Sequence, residues 1–341
     1  MKRNFYEILE HLKIKKYTWL VTGAAGFIGS NLVDALLNLN QEVIGLDNLS
    51  LGSIKNLNKI IDNHDESFFK FFEGDVSNLE DCVEACTGVD FVLHQAALGS
   101  IPRSISSPLN TNNSNVNGFL NILETAKNKK VKSFVYAGSS STYGDHKDLP
   151  KTEEKIGKPL NPYSITKYVN ELYADIYSMH YGFESTGLRY FNVFGRRQRE
   201  NGDYAAVIPK WINNIINNKK IEIYGDGITS RDFCYIDNVI QANILATFNK
   251  TKKGKCEVYN IAVGHQTSLN SLFDLIKSSV EEKDPSIMVE KPIYKDFRAG
   301  DMRHSQANIS KAKKLLGYTP NYKVKEGIKE TVSWYMEEMQ K

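Results

Sequence analysis

In the run NPYSITKYVNE, Tyr163 and Lys167 stand four residues apart, so on a helix they share a face and point at the same place. A free phenol titrates at about 10 and is a poor base at neutral pH. An ammonium beside it stabilises the phenolate and makes proton abstraction from a hydroxyl feasible. Taken alone, Tyr-x-x-x-Lys is common by chance and usually marks a solvated helix surface. Upstream, however, GSSSTYGD (Gly138 to Asp145) follows the apolar run SFVYA and closes a strand with four successive hydroxyl side chains. One or two hydroxyls would begin a turn or cap a helix; four, ahead of a Tyr and Lys pair, suit an oxygen whose charge changes during a reaction.

A second group of residues suits the other half of an oxidation. Directly after TWLVTG, the run TGAAGFIGSN sets Gly23, Gly26 and Gly29 three apart, and a helix pattern opens at Phe27 and Ile28. Glycines there let the backbone turn tightly and approach a pyrophosphate, which the helix N-terminus favours. A lone glycine triplet is weak evidence, but the strand, the glycines, the helix and then Asp47 and Asn48 in GLDN come in the required order. A carboxylate at Asp47 accepts bonds from adenosine ribose hydroxyls and repels a 2′-phosphate, and NLSLGS offers no Arg for that phosphate, so NAD is expected over NADP. Asp75 and Val76 in EGDVSN would lie by the adenine, although Asp75 reads nearly as well as a plain helix cap. With hydride leaving a carbon for NAD, Tyr163 would take the proton from the hydroxyl on that carbon and Ser139 would bond the oxygen.

These residues need a scaffold that brings strand ends together. TWLVTG, EVIGLD, FFKFFEGD, DFVLHQAA, SFVYAGSS and FESTGLRYFNV read as buried strands, and the runs between them carry apolar residues at helical spacing. That alternation predicts an α/β fold, a Rossmann-type doubly wound parallel sheet. Past Arg189 the rhythm loosens, and a smaller discontinuous α/β substrate domain is expected: residues 1–190 for the NAD-binding part, with 233–262 returning to it, and 191–232 with 263–341 for the substrate. RNFYEILEHLKI, residues 3 to 14, reads as an amphipathic helix packed ahead of the first strand.

Bulk properties exclude several classes. The 341 residues, 41% hydrophobic and 24% charged, can bury a large core and are not those of a disordered chain. Lys+Arg 43 against Asp+Glu 40, scattered, gives no basic face for nucleic acid. MKRNFYEILEHLKIKKY is too charged for a signal peptide, and no run of about 20 apolar residues suggests a membrane span. Cys82, Cys86, Cys234 and Cys256 do not complete a metal site, so no metal is expected, and thiols in a reducing cytoplasm fit the pattern. His94 lacks triad partners and reads as structural, and Arg196, Arg197 and Arg199 as a solvated loop.

Together GxxGxxG, SSSTYGD, YSITK and LRYFNVFG resemble the extended short-chain dehydrogenase/reductase family over nearly the whole chain. The resemblance implies that the catalytic hydroxyl lies four residues before the Tyr of the Tyr-Gly pair; counting back from Tyr143 selects Ser139. Dehydratases of that family carry Asp-Glu next, where this chain has Ser140 and Ser141, so dehydration is disfavoured. HQAALGSIPRS, YAAVIPKW, GDGITSRDFCYI and FRAGDMRHS, with the N-terminal extension, resemble the UDP-sugar 4-epimerases, and specifically the group acting on UDP-N-acetylglucosamine in surface-polysaccharide pathways. The implied reaction is oxidation at C4 by tightly held NAD, rotation of the 4-keto sugar, and return of hydride to the other face.

The resemblance further implies that Ala96 and Val193 line the cofactor site with Tyr163 and Lys167. For the substrate it implies Ser100, Arg103, Ser140, Ser141, Asn192, Ala206, Val207, Trp211, Tyr224, Arg231, Arg298, Asp301 and Ser305. Asn192 and Arg231 would meet the pyrophosphate, and an Arg fork suits phosphate. Ser305 stands where glucose- and galactose-limited relatives carry Tyr, leaving room for an acetamido group, though a Ser there could equally be a cap. Asn308, where many relatives have Asp, is assigned to a helix start. Alternatives are a UDP-glucose/galactose or UDP-glucuronate 4-epimerase, with Arg103 a candidate for the uronate carboxylate, or a non-catalytic NAD-binding regulatory protein. A homodimer through the VNGFLNILETAK and YSITK helices is expected.

Overall fold

The computed structural model describes residues 3–201, 205–249, 255–297 and 302–339. Its centre is a sheet of seven strands: β1 Thr18–Thr22, β2 Glu42–Asp47, β3 Phe69–Glu73, β4 Phe91–His94, β5 Ser133–Ser139, β6 Ser185–Tyr190 and β7 Glu257–Ile261. The spatial order is β7-β6-β5-β4-β1-β2-β3, and every neighbouring pair is parallel. All strands therefore end on the same edge, and the order reverses direction between β1 and β4, where a crevice must open. The strands are apolar runs because helices cover both faces. On one side Trp19, Val21, Leu93, Val135 and Leu188 meet the helices Phe27–Leu37 and Ile236–Phe248. On the other, Leu20, Val92, Phe134 and Tyr136 meet Gly118–Asn128 and Pro162–Tyr181.

The last strand enters the sheet from far along the chain: Val258, Tyr259 and Asn260 of β7 pair with Gly187, Leu188 and Arg189 of β6. The sixth strand is shorter than its apolar run, because the chain departs at Asn192, whose φ is +28°, before a two-residue strand, Val193–Phe194, paired with Cys234–Tyr235. Beyond it lie the helices Val207–Ile216, Leu269–Lys283 and Val324–Met339 and two further small strand pairs.

The N-terminal helix, Phe5–Ile14, starts in a capping box between Asn4 and Glu7. At ten residues it would be marginal by itself. It is held because Ile8 and Leu12 are fully buried, worth roughly 1.5–3 kcal/mol each, and because the Gln41 amide donates to the carbonyls of Leu12 and Lys15 at 2.7 and 3.2 Å. Its far end is tied by Asn249, which exchanges two hydrogen bonds with the backbone of Arg3.

Candidate active site

The glycine turn between β1 and the helix Phe27–Leu37 is built by close approach. Gly23 sits at φ +69°, and a Cβ on Gly29 would lie 2.0 Å from the Gly23 carbonyl oxygen. Only hydrogen fits there, so the helix start packs directly on the turn. Gly26, the N-cap, provides no side-chain cap, which leaves the first helical N–H groups for an anion. At the end of β2, Asp47 accepts from the Ala25 and Leu49 N–H groups at 3.0 and 2.8 Å. Burial nevertheless pushes its carboxyl pKa above the ordinary value, the backbone bonds acting against that rise. Asn48 donates to Asp75 at 2.8 Å. The helix Leu79–Ala85 is capped by Asn78, so Asp75 is not its cap; Asp75 turns the chain instead, accepting from Ser77 at 2.7 Å.

A cleft of about 1620 Å³ runs along this edge, lined by Gly23, Gly26, Phe27, Ile28 and Gly29, by Asp47 and Asn48, and by Val76 and Ala96. A glycine cradle, uncapped helix N–H groups and a carboxylate on the second strand fit a dinucleotide pyrophosphate and ribose. At its inner end the cleft shares Ile28, Gln95, Ala97 and Gly99 with a cavity of about 240 Å³. Ser139, Tyr163, Lys167, Asn192 and Val193 line that cavity. Strand β5, the YSITK helix and the loop after β6 thus deliver the proposed catalytic side chains and one expected substrate contact to a single space.

The helix that carries Tyr163 starts with Pro162 and is capped by Asn161, whose side chain accepts from Ser164 at 2.9 Å. Ser139 Oγ is 2.9 Å from Ser141 Oγ and accepts from the Ser141 N–H at 3.1 Å, so the serine run is a local hydrogen-bonded turn with Ser139 at its mouth. Burial raises the Tyr163 pKa and its hydrogen bond with Ser139 pulls it back. Burial lowers Lys167 to about 8, against a rise from Glu171. The Lys167 ammonium donates to the Ala137 carbonyl at 2.9 Å, which fixes it beside the cavity rather than on the phenol. His94 is structural: it is buried, bonded through Nδ1 to Thr22 at 2.8 Å and pushed down to about 3 by burial.

Ser100 and Arg103 line the main cleft, Ser100 capping the Ile101–Ser106 helix, and Ala206 joins them across it. Other expected substrate residues are not among those lining either cavity. Ser140 lies within the serine turn; Val207 opens the Val207–Ile216 helix and Trp211, on it, packs edge-on to Phe273. Tyr224 bonds Glu222, and Arg231 donates to the Ser230 carbonyl at 2.9 Å. Ser305 is buried and its N–H donates to Ser230 at 3.1 Å. Arg298 and Asp301 lie outside the described residues. Asn308 accepts from Ser310 at the start of the Ser310–Leu316 helix.

Two expectations need correction. Arg196 and Arg197 are not in a solvated loop: they pair with Asp237 and Asp34, each at 2.8 Å, because the loop is folded down on the Phe27–Leu37 helix. Of the two helices expected at a homodimer seam, Gly118–Asn128 has its large apolar residues turned inward: Phe119, Ile122, Leu123 and Ala126 are buried in the core. Gln95 and Tyr190 also line the cavity, beyond the residues expected above; Gln95 stands in HQAA, directly after a strand end, a local signal of its place.

Residues 19–262 match the NAD dependent epimerase/dehydratase family, and the chain belongs to that family. NAD is the cofactor of the family, in agreement with the cradle. A putative UDP-glucose 4-epimerase of Methanocaldococcus jannaschii is 38% identical over 92% of this chain and 97% of its own. A UDP-glucuronate 4-epimerase of Thermodesulfobacterium geofontis is 32% identical over 94% and 97%. The UDP-N-acetylglucosamine 4-epimerase of Methanobrevibacter ruminantium M1, solved with UDP-N-acetylmuramic acid, superposes with a TM-score of 0.86 at 39% identity, covering 95% of this chain and 100% of that one. Among the described residues no helix is long and apolar enough to cross a membrane.

Proposed function

We propose that this chain, an NAD-dependent epimerase of UDP-sugars, inverts C4 of UDP-N-acetylhexosamines, interconverting UDP-GlcNAc and UDP-GalNAc. The observation that carries the reading is the convergence of Ser139, Tyr163 and Lys167 on one small cavity at the inner end of the dinucleotide cleft. The Gly23 to Gly29 turn and Asp47 would hold NAD, whose chemistry when bound would be to take hydride from C4 and give it back. Tyr163 removes the C4 hydroxyl proton and gives it back, Ser139 steadies that oxygen through its hydroxyl, and the Lys167 ammonium favours the phenolate. Neither Ser140 nor Ser141 can supply the extra acid and base of a dehydration. The likeness to the M. ruminantium enzyme favours the N-acetylated substrate, and the family resemblance, not the lining of either cavity, would give Ser305 the place beside its acetamido group. The product would feed surface-polysaccharide synthesis.

The test is to incubate the purified protein, with no added NAD, with UDP-GlcNAc, UDP-Glc and UDP-glucuronate separately, and to resolve the C4 epimers by NMR. UDP-GalNAc with little UDP-Gal supports the reading and a retained cofactor. Turnover of UDP-Glc or UDP-glucuronate alone overturns the N-acetyl assignment, and no turnover after NAD is added overturns epimerisation.

We also infer a homodimer. Ile165, Leu172, Ile176 and Met179 form one stripe down the outer side of the Pro162–Tyr181 helix, 45 to 63% exposed, and Leu109 on the adjacent helix is 84% exposed. Such a continuous apolar face on a paired set of helices suits a second copy of itself.

A further inference from the structure

Arg189, on β6, is 2% exposed, and its three guanidinium nitrogens each have a partner. Nε and Nη2 fork onto the two carboxylate oxygens of Glu171 at 2.8 and 2.6 Å. Nη1 donates to the Glu153 carbonyl at 3.0 Å. The guanidinium lies over the Tyr143 ring, 4.8 Å from its centre, and the Tyr143 hydroxyl donates to Asn260 on β7 at 2.6 Å. Glu171 stands one turn beyond Lys167, which stands one turn beyond Tyr163 on the same helix. Tyr143 closes the short turn that Ser139 opens. One buried cation therefore grips the helix that carries the base and the ammonium, and the turn that carries the serine.

A buried ion pair is a poor source of net stability, because desolvating both charges offsets their attraction and a well-packed apolar pair serves as well. What a two-pronged fork supplies is direction. We propose that Glu171 and Arg189 are positioning residues for the proton relay: the fork fixes the rotation of the Tyr163 and Lys167 helix against β6, and the Arg189 stack on Tyr143 holds the Ser139 turn in register with it. Lys167 faces Tyr163 and Glu171 on its own helix and His94 from β4. Glu171 is the anion that favours its charged form. Misplacing such a relay by a fraction of its hydrogen-bond length is costly even when no reacting group is altered.

The test uses the NAD-bound protein carrying both Glu171→Met and Arg189→Met, which keeps volume and leaves no orphan charge. Titration of the Tyr163 phenol is read by ultraviolet difference against the same background with Tyr163→Phe. The proposal expects the phenol to titrate about one unit higher in the double variant, and kcat to fall on the order of a hundredfold with KM within about twofold. An unchanged phenol titration in a variant that folds overturns it, as does an unchanged kcat. Should the double variant not fold, Arg189→Lys keeps the charge beside Glu171 and loses the two-pronged fork, and it is read the same way. The kcat arm rests on the proposed UDP-sugar activity; the titration arm needs no substrate, so if the unmodified enzyme turns over no UDP-sugar, that activity fails while the phenol still decides the positioning role.

Discussion

Burial pulls Tyr163 and Lys167 in opposite directions along the pH scale but to the same end, since in each case the charged form is disfavoured. The site is therefore held short of the state in which it works. Tyr163→Phe removes the proposed base and leaves the cradle alone; the purified variant is expected to retain bound NAD, seen on denaturation and extraction, while epimerisation falls by roughly 10²–10⁴. Lys167 makes a sharper prediction. Its pKa is about 8 in the fold against an ordinary 10.5, so between those values the unfolded chain holds a proton that the folded chain has lost, and this group's contribution to stability rises with pH across the window. Below pH 8 the ammonium is buried at a cost of about 3 kcal/mol. Cofactor-free Lys167→Met is expected to be more stable than the parent at pH 7 and to lose that advantage as pH rises towards 10.5. Urea unfolding at several pH values checks this, and a variant less stable at pH 7 contradicts it.

At the scale of elements, the turn between β1 and its helix has no room to vary. Gly29→Ala places a Cβ within 2.0 Å of the Gly23 carbonyl, so the helix start must move off the turn that receives the pyrophosphate. The variant is expected to purify folded by circular dichroism but without NAD, and full NAD content would refute the cradle. This turn was legible in the sequence because glycine spacing, flanking strand and flanking helix are all local. Tyr163 and Lys167 were legible for the same reason, one helical face being written in four-residue steps. Arg189 and Glu171 were not, because their bond crosses from a strand to a helix and neither neighbourhood shows the other. The ion pairs of Arg196 and Arg197 were hidden likewise, since Asp237 and Asp34 lie far from them in the chain. The substrate side is the least legible part: loops gather there by tertiary packing alone, and only resemblance singled out Arg231 or Ser305.

At the scale of the whole molecule, the outer stripe would link the proposed dimer to the proposed site, because Ile165 and Ile176 lie on the helix whose other side carries Tyr163 and Lys167. Ile165→Glu with Ile176→Glu is expected to give a monomer in sedimentation velocity at concentrations where the parent is a dimer; a monomeric parent sinks the inference outright. The N-terminal helix belongs to the same scale. Removing residues 1–14 uncovers the surface that Ile8 and Leu12 seal and takes the Leu12 carbonyl from the Gln41 amide, so the truncated chain is expected to be less stable by roughly 3–6 kcal/mol, measured by chemical denaturation.

The late arrival of β7 governs how the polypeptide is made. As the chain leaves the ribosome, β1 to β6 emerge complete with the glycine cradle, the serine turn and the catalytic helix, yet the edge that β7 will cover stays bare until residue 261 is synthesised. Asn260, which receives the Tyr143 hydroxyl, is missing throughout that interval. A nascent chain stalled near residue 200 carries every group of the proposed proton relay and an open strand edge, the kind of surface that chaperones cover. Synthesis of residues 191–256 is thus also the waiting time before the seven-stranded sheet can close.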